Sequence, residues 1–151
     1  MGSKTAAGSV LAITATAPAT NDAAGYGAGT YLEIGGPDKL GTFGSTFAKV
    51  EWKPLKGGVD KHKGSVDYGS LQPTIATDDN DAGQTLLRTA AADATSKLYY
   101  FKVTLSDGAI RYFPGRVFGD AETVDGADSV LTWAPVIEIC AKPIKVAAPT
   151  P

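Results

Sequence analysis

Residues 98–118, LYYFKVTLSDGAIRYFPGRVF, decide the fold class. Two runs rich in aromatic and β-branched residues flank Asp107-Gly108, and the pair supplies the positive φ that a two-residue type I′ turn needs. The stretch therefore predicts an antiparallel hairpin. With that turn, Leu105 opposes Ile110, Val103 opposes Tyr112 and Phe101 opposes Pro114, all on one face. Thr104 with Arg111 and Lys102 with Phe113 take the other face.

The same texture runs along the chain. Its 18 glycines and 9 prolines punctuate short stretches of Val, Ile, Thr, Tyr and Phe, the pattern of an all-β domain. Strands are expected near 9–16, 29–35, 45–53, 64–76, 98–106, 109–118 and 128–139, with no internal repeat. In STFAKVEWK, residues 45–53, Ala48, Val50 and Trp52 fall on one face and Lys49, Glu51 and Lys53 on the other. That alternation describes a sheet with one dry and one wet side. Pro73, Pro114 and Pro135 interrupt strand-like runs. Proline has no N–H to give a ladder, so these positions belong on edges or at bulges.

DDNDAGQTLL, residues 78–87, admits two readings. An EF-hand calcium loop wants oxygen ligands at its third and fifth positions, Gly at the sixth and Glu at the twelfth. Counting from Asp78, Asn80 and Gly83 fit, but Ala82 and Thr89 stand at the fifth and twelfth. A helix start fits better. Asp81 takes the cap and Gln84 completes a capping box, with Asp78 and Asp79 near the positive helix end. Leu86, Leu87, Ala90, Ala91 and Ala94 then form one stripe, while Gln84, Arg88, Ala92 and Asp93 face away. The expectation is one flanking helix near 81–95 lying across a sheet, and no metal.

The 151 residues suggest one domain, 1–151, large enough to bury a core. Net charge is −2, from 14 basic and 16 acidic residues, which argues against gripping nucleic acid by bulk charge. Cys140 is the single cysteine, so no internal disulfide forms, which fits a reducing compartment. The thiol follows an apolar run and reads as unreactive. The N-terminal stretch has a weak apolar centre, and Leu11, Ile13 and Ala15 read as a strand rather than a secretory signal. No run approaches a membrane-spanning length. The ends, 1–8 and 142–151, read as flexible arms.

Chemistry is hard to find. His62 sits in a lysine-rich loop, 53–63, without partners for a triad or a metal. Gly25-Tyr26-Gly27-Ala28-Gly29 resembles half a dinucleotide loop but precedes a strand, and reads as a flexible connection. No GxxxxGK[ST], GxSxG or CxxC occurs, and no carboxylate pair stands out as an acid/base couple. The reading is of a non-enzyme, with no catalytic, metal or cofactor-binding residues and no cofactor. The lysine loop lacks the aromatics of a single-strand binder. It reads as a mobile surface loop, as a phosphate contact, or as a docking element for an acidic patch on the next copy of the same chain.

Four segments, in order, resemble a long-tailed bacteriophage tail tube protein, the major tail protein: GSVDYGSL (64–71), DAGQTLLRTA (81–90), YFKVTLSDGAIRYFPGRV (100–117) and GADSVLTWAPVIEI (126–139). The resemblance implies two packed antiparallel sheets, a sandwich or barrel-like tube fold, with one flanking helix. It implies six-membered rings whose sheets join into an inner barrel, stacked into a hollow tube in the virion tail and assembled in the host cytoplasm. The partners implied are further copies of the chain, the tape-measure protein, tail initiation and terminator proteins, and viral DNA passing without sequence-specific binding; no membrane insertion is implied. Candidate lumen or inter-subunit wet-face residues are Lys49, Glu51, Lys53, Lys102 and Thr104. The candidate ring-to-ring loop holds Lys56, Asp60, Lys61, His62 and Lys63. The resemblance implies an acidic lumen, whereas the assigned wet faces carry lysines. The alternative reading is a β-sandwich binding, adhesion or decoration module of a virion.

Overall fold

The computed structural model describes residues 3–149. Its strands are β1 (Val10–Thr14), β2 (Leu32–Ile34), β3 (Pro37–Lys39), β4 (Thr46–Trp52), β5 (Asp60–Asp67), β6 (Ser70–Leu71), β7 (Thr74–Ala76), β8 (Tyr99–Thr104), β9 (Ile110–Thr123), β10 (Thr132–Ile139) and β11 (Ile144–Val146). The helices are α1 (Ala23–Gly27) and α2 (Ala82–Ala92). The fold is mainly β and antiparallel, with α2 as the flanking helix.

One large sheet follows the path β2-β1-β8-β9-β10-β7-β3, with β11 added to β9 and β6 to β10. Its two end strands are consecutive in sequence. Laid flat, a seven-strand path separates its edges by about 29 Å. Ile34 and Pro37, only three residues apart, can span at most about 11 Å. The sheet must therefore roll until its edges meet at Gly35-Gly36, and its walls face one another across a barrel-like core. Leu11, Ile13, Ile34, Leu71, Ile75, Phe101, Val103, Phe113, Trp133 and Ile137 fill that core.

α2 seals the seam. Gly83 lets it lie against the β2 backbone; a Cβ there would come within 2.1 Å of the Glu33 carbonyl oxygen. Leu87 and Ala90 point inward beside it. Gln84, expected to face away, is buried with them. Its Nε2 donates to the Gly35 and Ala76 carbonyls at 2.8 and 2.9 Å. Its Oε1 accepts from the Asp78 N–H at 3.0 Å and from the Trp133 indole at 3.2 Å. The capping box is thereby corrected. Asp81 occupies the N-cap position without a side-chain cap bond, and its carboxylate accepts the Gly35 N–H at 2.6 Å instead. Both acid and amide are drawn from local capping to the seam.

The central hairpin forms with a different register. Gly108 N–H donates to Leu105 O at 2.9 Å and Leu105 N–H to Ala109 O at 2.7 Å, with Gly108 at φ 93°. This is a type I turn followed by a glycine bulge, a three-residue loop. The Asp107 carboxylate holds it by accepting the Ala109 N–H at 3.0 Å. The extra residue shifts every pair, to Thr104 with Ile110, Lys102 with Tyr112 and Phe101 with Phe113. Phe113, not Tyr112, joins Phe101 in the core, the two rings 5.5 Å apart.

The three prolines mark changes of partner. At Pro114, β9 passes from β11, paired at Tyr112, to β10, paired from Gly115. Pro73 separates β6 from β7, and Pro135 lies on β10 in the gap between their pairings. No ladder bond is wanted at such a gap.

Other expectations shift. The run 64–76 is three strands, β5 starting earlier at Asp60. The Gly25–Gly27 connection is α1, whose first turn is held by the Asp22 carboxylate accepting the Gly25 N–H at 2.7 Å. Within the expected C-terminal arm, Ile144–Val146 pair with β9. Within the N-terminal one, Lys4 pairs with Asp107 and Thr5 O accepts from Ser106 Oγ. The outermost arm residues, 1–2 and 150–151, lie outside the described residues.

Candidate functional site

The second sheet is a free arm. β4 and β5 pair only with each other, and every residue of β4 is exposed. The expected dry face exists, but it does not meet this chain's core. Val50 opposite His62 and Trp52 opposite Asp60 line one side. Trp52 is 67% exposed and Leu55, in the tip, wholly so. The other side carries Lys49 opposite Lys63 and Glu51 opposite Lys61. Lys49 and Glu51 form an ion pair at 2.9 Å, and the Lys63 ammonium sits 4.8 Å from the Phe47 ring centre.

A two-stranded hairpin alone is marginal in water. This one is held at its root, where Phe43 lies 5.9 Å from Phe113 and Tyr68 packs on the core. The expected loop 53–63 is therefore corrected: 53–59 form the tip, and Asp60, Lys61, His62 and Lys63 belong to β5. Lys53 and Lys56 stand in the tip.

The arm is basic. Lys49, Lys53, Lys56, Lys61 and Lys63 outnumber Glu51, Asp60 and Asp67. An opposite pole lies at the far end of β9 and β10. Residues 117–141 contain no Lys or Arg and include Asp120, Glu122, Asp125 and Asp128. The pole also exposes apolar groups: Val124 at 76% and Val130 at 70%. Farther back along β9, level with Ile137, Phe118 is also exposed, at 68%, at a bulge between the pairs Val117–Ile137 and Gly119–Val136. Glu122 is already held by Arg88 at 2.8 Å, whose guanidinium stacks 4.2 Å from the Trp133 ring centre.

The arm root and the acidic pole sit at opposite ends of β10. The arm root, Ser70, pairs with Glu138, whereas the acidic pole begins past Thr132. Six residues of strand separate these points by about 20 Å.

The wet-face candidates do not form one surface. Lys49 and Glu51 are on the arm, with Lys53 just beyond β4. Lys102 and Thr104 lie on the outer face of the large sheet, opposite Ala12 and Val10. There a tyrosine cluster that sequence reasoning missed covers the wall. Tyr26 of α1 stacks 5.4 Å from Tyr112 and meets Tyr100 edge-on at 6.0 Å. Tyr31 lies 6.1 Å from Tyr112, with the Lys102 ammonium 5.8 Å from its ring centre. Burial, helped by the neighbouring Tyr112 and Tyr26, pushes the Tyr31 phenol up to about 12. Burial also raises Tyr112, as it does Tyr26, where Tyr100 adds to the effect.

His62 stands on the open arm, and Cys140 is exposed with its sulfur 3.5 Å from an Arg116 guanidinium nitrogen. Among the described residues, no three His, Cys, Asp or Glu side chains gather as a metal-binding set. No helix among them is long and apolar enough to cross a membrane.

No family model and no curated protein matches the sequence. Solved structures do match in shape. A chain in the structure of an extracellular contractile injection system, the PVC sheath/tube terminator in its extended state, aligns with TM-score 0.67 at 6% identity, covering 97% of this chain and 99% of that one. A chain of the anti-feeding prophage (AFP) baseplate, determined with 6-fold symmetry, gives TM-score 0.70 at 9% identity, covering 98% and 99%. The SPP1 tail tube gives TM-score 0.60 at 17% identity, covering 91% of this chain and 75% of that one. The chain has the fold found in these tail and injection-system assemblies.

Proposed function

We propose that this chain is a structural subunit of a phage-type tail tube, acting as one domain that assembles with copies of itself and carrying no enzymatic activity. Six copies close into a ring and rings stack into a hollow tube. The tube encloses a tape-measure protein, meets initiator and terminator proteins at its ends and conducts DNA during ejection. It resides in the virion tail after assembly in the host cytoplasm.

The observation that carries this reading is the bare arm. A heterologous contact that closes makes a ring, and one that repeats along an axis makes a filament. An arm exposed on both sides, with an apolar side, fits an element completed by another copy, by strand addition or by packing. The shared fold supports the same reading, and the six-fold symmetry of the AFP baseplate structure supports the ring size. A second reading, a terminal ring that closes a tube, is favoured by end-to-end coverage of the terminator-assembly chain against 75% of the SPP1 chain.

Negative-stain microscopy of the concentrated protein separates these readings. Tubes of indefinite length support the tube subunit, and rings that do not stack support the terminal ring. Trp52→Asp, at an exposed site, should leave stability within about 0.5 kcal/mol of the parent while abolishing assembly. Persistent monomers of the parent, alone and with tail initiation proteins, would refute self-assembly.

A further inference from the structure

We propose that the basic β4–β5 arm of one copy docks onto the acidic pole of another, residues 122–131 at the far end of β9 and β10. The inference rests on the self-assembly reading above and names which surfaces meet. Three observations carry it. Both regions expose large apolar side chains, Trp52 and Leu55 on the arm and Val124 and Val130 on the pole. Their charges are opposite, and the pole lies in a stretch without Lys or Arg. The arm root and the pole stand at opposite ends of β10. One molecule thus carries the root of a plug at one end of β10 and the socket at the other, two different surfaces that suit a head-to-tail contact. Rim charges then set register and encounter rate while the desolvated apolar groups supply the adhesion. Arm lysines facing a duplex phosphate backbone would not use the bare Trp52 and Val50 side, which favours a protein socket over nucleic acid.

The test uses the full chain with charges reversed on each surface separately, Lys56→Glu with Lys61→Glu on the arm and Asp125→Lys with Asp128→Lys on the pole. Each variant alone should need about tenfold or more protein to assemble, a change of 1.4 kcal/mol. An equal mixture should assemble like the parent, because each variant's arm then meets an oppositely charged pole. Assembly of the arm variant at the parent's concentration overturns the proposal. So does failure of the mixture to recover while both variants unfold like the parent. Loss of duplex-DNA binding with unchanged assembly also overturns it, reassigning the arm to nucleic acid. A second measurement decides the matter should the parent form neither rings nor tubes. In a Cys140→Ser background, Leu55→Cys chains mixed with Val130→Cys chains should form mixed disulfide dimers faster than either forms its own. Such dimers uphold the docking while the tube reading fails; their absence overturns both.

Discussion

Gln84 offers the sharpest test of how the fold is closed. Its amide joins four places: Gly35 at the seam and Trp133 on β10, both far off in sequence, and Ala76 on β7 and Asp78 just before α2. Gln84→Ala removes all four bonds. Asp78 is exposed and its N–H can turn to water, so three partners are left short. With a typical net bond of about 0.5–1.5 kcal/mol and a penalty of about 1–3 for each unpaired buried group, partly relieved by relaxation, we expect a loss of about 3–5 kcal/mol. That corresponds to a fall in Tm of roughly 6–20 °C at this size. Gln84→Glu adds a sign. An ionised carboxylate there faces the Gly35 and Ala76 carbonyl oxygens, so folding raises its pKa above the unfolded value of about 4.3. A raised folded pKa contributes stability that is full below about pH 4 and is lost as pH rises through the folded value. The variant should therefore fall further behind the parent at pH 7 than at pH 4, by about 1.4 kcal/mol for every tenfold weakening of the acid on folding. Urea titration read by tryptophan fluorescence measures both effects. A loss under about 1 kcal/mol for Gln84→Ala, or a pH-independent gap for Gln84→Glu, would refute the seam argument.

Gly83→Ala should destabilise although alanine favours helix by about 1 kcal/mol, because its Cβ would collide with the Glu33 carbonyl; a higher midpoint in thermal unfolding would contradict that packing. Tyr31 should titrate near 12 in the folded chain. Because that value lies above the usual 10, stability should decline as pH climbs from 10 through 12, and Tyr31→Phe should lessen the decline. Ultraviolet titration of the phenolates together with alkaline unfolding curves checks both statements.

Much of the sheet was legible because its alternation is local. The strands 98–106, 109–118 and 128–139 needed only period and punctuation, and the prolines marked partner changes as their missing N–H requires. The hairpin register was missed because Asp-Gly serves both a two-residue turn and a bulged three-residue one. A discriminating signal was present: the shorter turn puts Arg116 on the core face, and the longer one puts Val117 there. Gln84 was illegible for a different reason. Asp78 and Ala76 lie close by in sequence, but Gly35 and Trp133 are each 49 residues away and meet the amide only when the sheet rolls, so no short window around residue 84 contains all four partners. The tyrosine cluster likewise joins α1 to β8 and β9 across long separations. For the candidate site, the amphipathic period of β4 was readable, but alternation records that one side dislikes water and not whose surface covers it.

That ambiguity bears on assembly. The rolled sheet satisfies most of its apolar needs within one chain, through the seam, α2 and the tyrosine-covered wall, and leaves bare chiefly Phe118 and the pole's Val124 and Val130. The arm does not, and its root at Phe43 and Tyr68 fixes where it starts without fixing its length. The residues that hold the body together and those offered to other copies are therefore nearly disjoint sets. Substitutions at Gln84 or Gly83 should change stability in dilute monomer and in assembly alike, whereas those at Trp52 or Lys56 should change assembly alone. An arm with no covering surface also loses little by moving, so its order should rise on docking, the conformational cost falling at that moment. Backbone hydrogen exchange in β4 and β5 should then be fast in the monomer and slow in the assembly, while β8 and β9 stay protected in both. Equal protection of the arm in both states would mean that it is already covered in the isolated chain, and the division of labour between body and arm would fail.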